Sequence, residues 1–241
     1  MKKSIPVGRH TKTVQPLWAK WDELAQKNGV HHTVYSVNGD QFTGEWFNNM
    51  KHGKGTYRWK SSGNMYDGDW SFDKRNGFGT LSIPDGHGGL RKQYAGGWKN
   101  NKTHGYGSHF YHSDEYYEGE WYCGKRSGWG RMYYNDGGIY EGEWYDDMRN
   151  GQGMLRLANE NRYEGMWQKD MKNGRGKFFF LDSGQLYEGV WVDDIPKCGT
   201  MIDFSRDSAP YPTKYPIPPV EVKDADTILI ASEKSFLPEY E

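Results

Sequence analysis

The chain has 241 residues, with 31 Lys and Arg against 32 Asp and Glu and a formal net charge of −1, which argues against a nucleic-acid partner. Mean hydropathy is −1.00, yet there are 32 Gly, 18 Tyr and 11 Trp, so a core must be built from rings rather than aliphatic side chains. No apolar leader and no run of about 18 apolar residues is present. Two cysteines, Cys123 and Cys198, make no disulfide framework, and an intracellular, cytoplasmic chain with reduced thiols is expected.

Residues 1–33 form a basic arm with six Lys or Arg against two Asp or Glu. Within it, P-L-W-A-K-W-D-E-L-A at residues 16–25 has apolar residues at helical spacing, with Pro16 suited to the first helical position and Gly29 to the end. The expected role is a helix capping the first sheet edge. A helix that docks a partner is the alternative.

From residue 34 to 202 the chain repeats. An aromatic-x-Gly-x-Trp signature starts at Phe42, Tyr66, Tyr94, Tyr117, Tyr140, Tyr163 and Tyr187, in steps of 24, 28, 23, 23, 23 and 24 residues. A Gly-x-Gly pair follows each Trp in step, from Gly53/Gly55 to Gly174/Gly176; in the seventh copy Cys198 and Thr200 stand at the same distance. The long step comes from an insertion, Ile83–Lys92, and repeat three also has Ala95 and Gly97 where others carry acids.

Alternation inside Tyr140-Glu141-Gly142-Glu143-Trp144 has period two, which predicts a strand with the rings on one face and the glutamates on the other. A second run follows each glycine pair, closed by turn residues such as Asn38-Gly39 and Asn135-Asp136-Gly137-Gly138. Each unit therefore reads as one β-hairpin, and hairpins that cannot stand alone must stack. The expected architecture is all-β: an elongated single-layer solenoid of about seven hairpins, roughly 65 Å long at about 9.6 Å per hairpin. The glycine between two rings leaves room for a neighbour's ring, and the insertion is expected to split the groove into halves. Residues 203–241 form an acidic tail whose prolines, from Pro210 to Pro219, favour an extended path; it is expected to cover the last repeat, with Thr227-Ile228-Leu229-Ile230 suited to an added strand, and a proline-rich ligand for another domain is the alternative.

The signature and its Gly-x-Gly pair, at a 23-residue step, resemble the MORN (membrane occupation and recognition nexus) repeat over about residues 34–202. The resemblance implies an open hairpin solenoid that acts as a scaffold or targeting module, with proteins or acidic membranes as partners. It also implies a setting in cilia, flagella or sperm formation, the acrosome region included.

Three functional classes follow. For an enzyme or metal centre, His104, His109, His112, Asp114 and Glu115 lie close in sequence, but His104 fills a slot that is Asn, Ser or His in other repeats and reads as a turn. No metal, cofactor or catalytic residue is predicted. For a membrane, Lys51, Arg75, Arg126, Arg149 and Lys172 recur five residues after the signature Trp and would form a basic ladder worth about 1 kcal/mol per cation on anionic lipid. For a protein partner, a groove lined by Tyr117, Trp121, Tyr140, Trp144, Tyr163 and Trp167, with Glu141 and Glu143 on the other face, offers aromatic anchors. The adopted reading is a non-catalytic adaptor that binds proteins. Weak acidic-membrane contact is the alternative, and a homodimer is compatible with either.

Overall fold

The computed structural model describes residues 16–217; the expected strand at Thr227–Ile230 lies outside them. The chain divides into two compact units, residues 1–153 and 154–241.

The first unit begins with helix α1 (Leu17–Ala25) and strands β1 (Gly29–Tyr35), β2 (Gln41–Phe47), β3 (Met50–Arg58), β4 (Met65–Ser71) and β5 (Lys74–Pro84). It continues with β6 (Leu90–Lys99), β7 (Lys102–Phe110), β8 (Tyr116–Tyr122), β9 (Lys125–Tyr133), β10 (Ile139–Tyr145) and β11 (Met148–Arg156), whose last residues pass into the second unit. Strands pair antiparallel in chain order with no crossover. The second unit contains β12 (Arg162–Gln168), β13 (Met171–Phe180), β14 (Gln185–Val192) and β15 (Ile195–Asp203), again paired in order.

Each signature strand turns into its partner through two residues of left-handed backbone, for example Asn48 and Asn49 (φ 48° and 63°) and Asp146 and Asp147 (φ 53° and 69°). Two such residues make a type I′ turn, whose twist matches that of the strands it joins. Asn and Asp tolerate this conformation better than other side chains. The sequence reading located turns at the far ends of the hairpins and did not recognise these.

Register brings the repeated glycines into one row across the sheet. In the first unit Gly55 faces Gly68, Gly68 faces Gly79, and the row continues through Gly96, Gly107, Gly119 and Gly130 to Gly142. The signature tyrosine lies over this row. Its hydroxyl donates to the carbonyl three residues on: Tyr66 to Asp69 at 3.0 Å, Tyr117 to Glu120 at 3.0 Å, Tyr140 to Glu143 at 3.0 Å. The glycines are thus needed by the ring of their own repeat, not by a neighbour's ring as the sequence suggested. A Cβ on Gly130 would lie 2.6 Å from Cε2 of Tyr117.

The tryptophan makes the link between repeats. Trp70, Trp98, Trp121 and Trp144 donate their indole N–H to the carbonyls of Gly55, Gly79, Gly107 and Gly130 in the preceding strand, at 2.9 to 3.2 Å. Each tyrosine meets its own Trp and the next edge to face: Tyr117 lies 5.3 Å from Trp121 and 5.3 Å from Trp144. The tyrosines Tyr66, Tyr94, Tyr117, Tyr140 and Tyr163 are fully buried, so one layer of strands obtains a core by paving one face with interlocked rings.

Three expectations are corrected. The insertion in repeat three does not split the sheet: it lengthens one hairpin, pairing Pro84 with Leu90, while Gly79 still faces Gly96. The seventh hairpin keeps its glycine, because its register shift, between Val190 and Trp191, is one residue smaller than that of the other hairpins and sets Gly199 opposite Gly189. Helix α1 ends at Gln26 in the left-handed region (φ 45°), short of Gly29, which starts β1. None of its residues is buried, so its apolar residues do not close the sheet edge as a packed cap.

Candidate functional site

The ring-paved face carries six of the residues expected to anchor a partner. Tyr117, Trp121, Tyr140, Trp144, Tyr163 and Trp167 are all buried, Trp121 being the most exposed at 7%. They hold one repeat against the next, so their rings are not free surface. The reason is the return strands, which place Met132 and its equivalents beside each ring.

Within each unit the basic ladder lies over the ring-paved face. The Arg126 guanidinium stands 4.2 Å from the Trp144 ring and 5.6 Å from that of Tyr117. Arg75 covers Trp98 at 4.1 Å, Arg149 lies over Tyr140 at 5.6 Å, and Lys172 over Trp191 at 5.2 Å. An acid or amide from the next turn holds the cation and caps its amide. Asp73 accepts the Lys51 amide at 3.0 Å and pairs with its ammonium at 2.8 Å. Asp147 accepts the Arg126 amide at 2.9 Å, Asn101 that of Arg75 at 2.9 Å, and Asp194 that of Lys172 at 2.8 Å. Burial pushes the Arg75 guanidinium below its ordinary range. The ladder residues sit on strands rather than in the turns and are half-buried structural rungs.

One rung escaped the sequence reading. Lys27 stands 24 residues before Lys51, is buried, places its ammonium 4.9 Å over the Trp46 ring, and donates its amide to Asn49 at 2.6 Å. With β1 it forms half a repeat ahead of the first. Another rung is missing: Thr103 occupies the cation position and Gly124 the acid position, so both halves of the pair are lost together.

The opposite face holds the acids. Glu143 accepts the Gln152 amide at 2.9 Å, as Glu45 accepts that of Lys54 at 3.0 Å and Asp69 that of Phe78 at 2.7 Å. These carboxylates tie down the strand where the first glycine of each pair kinks it. Glu141 instead pairs across the strands with Arg131 at 2.7 Å. Between the acids rise three large side chains from the middle of the Gly-x-Gly pairs: Phe78, Tyr106 and Trp129, all at least half exposed. Troughs of about 410 and 250 Å³ lie beside them, floored by Gly55, Gly68 and Gly79 and by Gly119 and Gly130. Tyr116 and Tyr133 stack 4.2 Å apart farther along the strands. This exposed row was missed because the repeat signature drew attention to its regular positions. The variable residue between the glycines was the available signal.

A second recess of about 610 Å³ lies between α1 and the first hairpins, lined by Trp18, Trp21, Phe42, Trp46 and Tyr57 among others. The Trp46 indole N–H, the first in the series, has no hydrogen-bond partner among the described residues. Of the histidines considered for a metal, His109 lies 6.0 Å from Trp121, its pKa pushed down by burial and by Arg126 and Arg91. His104 instead accepts the Cys123 amide at 3.5 Å. Among the described residues no three His, Cys, Asp or Glu side chains gather to hold a metal, and no helix is long and apolar enough to cross a membrane.

The repeat geometry has a counterpart among known families. The sequence model of the MORN repeat matches residues 42–63, 66–88, 94–113, 117–139, 140–162 and 163–184. The chain belongs to the MORN repeat family. It is similar to MORN repeat-containing protein 3 of Xenopus laevis, 61% identical over 98% of this chain and 100% of the relative. The proteins of that name from Mus musculus and Homo sapiens are each 59% identical, over 98% and 96% of this chain and 99% and 97% of theirs. This MORN chain departs from the six matched repeats at both ends, where Lys27 with β1 and the hairpin β14–β15 extend the array.

Proposed function

We propose that the chain is a non-catalytic scaffold that binds other proteins through the face opposite its ring-paved core. One observation carries this reading: Phe78, Tyr106 and Trp129 stand exposed in register on successive hairpins, among carboxylates, on the face that does not hold the repeats together. Exposed aromatics outside the packed core are the kind of surface that protein interfaces use. The groove imagined over Tyr140 and Trp144 is replaced by this face, with Glu141 at its margin. Cys123 and Cys198, both exposed free thiols, suit an intracellular setting. A cilium, flagellum or sperm structure is carried by the family likeness alone.

The acidic-membrane reading has less behind it. Lipid contact would require Lys51, Arg126 and Lys172, whose side chains are 20%, 18% and 19% exposed, to leave their acids and rings. The test is site-specific photo-crosslinking in cells from a probe amino acid at position 129, compared with one at position 126. Adducts with proteins from 129 are expected. A probe that yields protein adducts only from 126, or flotation with phosphoinositide vesicles that Arg126→Gln abolishes, would sink the reading.

A further inference from the structure

We infer that the exposed aromatic row is built to take a basic, proline-rich segment of a partner protein in the polyproline II conformation, lying across the strands. This rests on the scaffold reading above and names its partner class.

The first argument is spacing. Phe78, Tyr106 and Trp129 lie on β5, β7 and β9, each one residue before a glycine of the aligned row that runs Gly79, Gly96, Gly107, Gly119, Gly130. Successive rings are therefore two strands apart, about 9.6 Å. A polyproline II helix has three residues per turn and a rise of about 3.1 Å, so it repeats every ~9.3 Å. Every third residue of such a helix meets an equivalent ring, and the two troughs, about four strands apart, fall two turns apart on it. An α-helix, with a pitch of about 5.4 Å, and a β-strand, with same-face residues about 6.6 Å apart, fall out of step after one hairpin.

The second argument is the floor. The troughs end on bare glycine backbone, between the rings of Tyr106 and Trp129 in one case and between the Phe78 ring and the Lys54 side chain in the other. A ring-walled slot without side chains at its base accepts the flat pyrrolidine of proline. A preformed ligand helix also loses little conformational entropy on docking.

The third argument is charge. The cations lining the troughs are Lys54 and Arg131, and both are neutralised, Lys54 by Asp69 at 2.5 Å and Arg131 by Glu141 at 2.7 Å. Beside them Asp67 and Glu118 accept only neutral hydroxyls, from Thr56 at 2.7 Å and Tyr106 at 3.1 Å. Glu120 and Glu143 accept backbone amides, at 3.4 and 2.9 Å. The strip is net acidic, and an Arg or Lys among the prolines complements it, the arginine also stacking on the exposed rings.

The experiment is fluorescence anisotropy of the full chain with three labelled peptides of about four triplets each: Arg-Pro-Pro, Arg-Gly-Ser and Glu-Pro-Pro. The Arg-Pro-Pro peptide is expected to bind at least about tenfold tighter than either control, and Trp129→Ala and Glu118→Gln are each expected to weaken it about tenfold. Both positions lie outside the ring-paved core, and circular dichroism with the melting temperature establishes that each variant is folded. Equal binding of Arg-Pro-Pro and Arg-Gly-Ser would reduce the effect to charge and overturn the inference, as would indifference to Trp129→Ala or no binding at all. Self-association that the peptide reverses would assign the row to the proline-rich residues 210–219 of a second copy, again overturning it. The photo-crosslink at position 129 reads the scaffold proposal separately: protein adducts there with a flat peptide titration leave the docking face standing and remove its polyproline ligand.

Discussion

Replacing Gly130 with alanine tests whether the glycine row exists to seat the tyrosines. The new Cβ would sit 2.5 Å from Cζ and 2.6 Å from Cε2 of Tyr117, where about 3.5 Å is comfortable. The ring cannot retreat. It is held 5.3 Å from Trp121 on one side and 5.3 Å from Trp144 on the other, and its hydroxyl is tied to the Glu120 carbonyl at 3.0 Å. Overpacking costs about 1–3 kcal/mol and the lost hydrogen bond about 1 kcal/mol, so Gly130→Ala is expected to destabilise by about 2–4 kcal/mol. Gly137→Ala is the control: nothing lies within 4 Å of its Cβ, and only its left-handed backbone (φ 89°) is strained, at about 1–2 kcal/mol. Native-state hydrogen exchange reports hairpins separately in a repeat array and is the suitable readout. Exchange from β8 and β9 should accelerate at least about thirtyfold in Gly130→Ala, since ~1.4 kcal/mol is a factor of ten. In a Tyr117→Ala background the same glycine change should cost almost nothing more. A penalty for Gly130→Ala no larger than for Gly137→Ala, or one that persists without the Tyr117 ring, would refute the reasoning.

Gly124→Ala should cost about 1–2 kcal/mol in urea unfolding, because Gly124 is left-handed (φ 95°), and Gly124→Asp should recover about 0.5–1 kcal/mol of that, because a carboxylate there can cap the Thr103 amide as Asp147 caps that of Arg126 at 2.9 Å. Asp40 lies among Tyr57, whose hydroxyl donates at 2.7 Å, and the Lys60 amide at 2.8 Å, which hold its carboxyl below the usual range. A depressed folded pKa gives stability that is present above the unfolded value of about 4 and lost as pH falls through the folded one, so melting temperatures should drop below about pH 4, and less steeply in Asp40→Asn. At the alkaline end burial raises Tyr66, Tyr94 and Tyr117 well above the usual phenol range and pushes Tyr163 up to about 12. Their stability is complete below about pH 10 and lost as pH rises, so tyrosinate absorbance should show exposed phenols titrating first and the core ionising only with unfolding.

The repeat, its hairpins and its family likeness were legible because each is a local spacing: Tyr-x-Gly-x-Trp fixes a strand face, and Gly-x-Gly fixes a kink one strand later. What could not be read locally was which face is solvent. Period-two alternation separates Tyr140 from Glu141 but assigns neither to water, and a single-layer sheet was expected to leave some rings open. The missing information is that a tyrosine folds back over two glycines and bonds the carbonyl three residues on, which closes the face with its own repeat. The ladder was seen as five cations and misjudged for the same reason. Lys51 and Asp73 are 22 residues apart, and the joint replacement by Thr103 and Gly124 marks them as a pair only once the register is known. Lys27 shared the ladder's 24-residue step and was passed over because it lies before the first signature.

Comparison of the repeats with one another separates structural duty from freedom. At the ring positions the chain writes Tyr and Trp almost without change, and each departure costs a bond: Phe42 in the first repeat has no hydroxyl to donate. At the middle of the Gly-x-Gly pair it writes Lys54, Phe78, Tyr106, Trp129, Gln152 and Arg175, six different residues on the same backbone. Packing cannot be choosing them, since the exposed side chain there touches no core. A position that the fold leaves open, yet fills with three large aromatics on consecutive hairpins at a cost in solubility, is where the array can carry information about a partner. Exchanging the middle residues between hairpins, for instance Trp129→Gln with Gln152→Trp, should therefore leave the melting temperature within about 2 °C while weakening docking, because a glutamine then interrupts the row of rings after Tyr106. A fall in stability comparable to that of Gly130→Ala would mean that the row is structural after all.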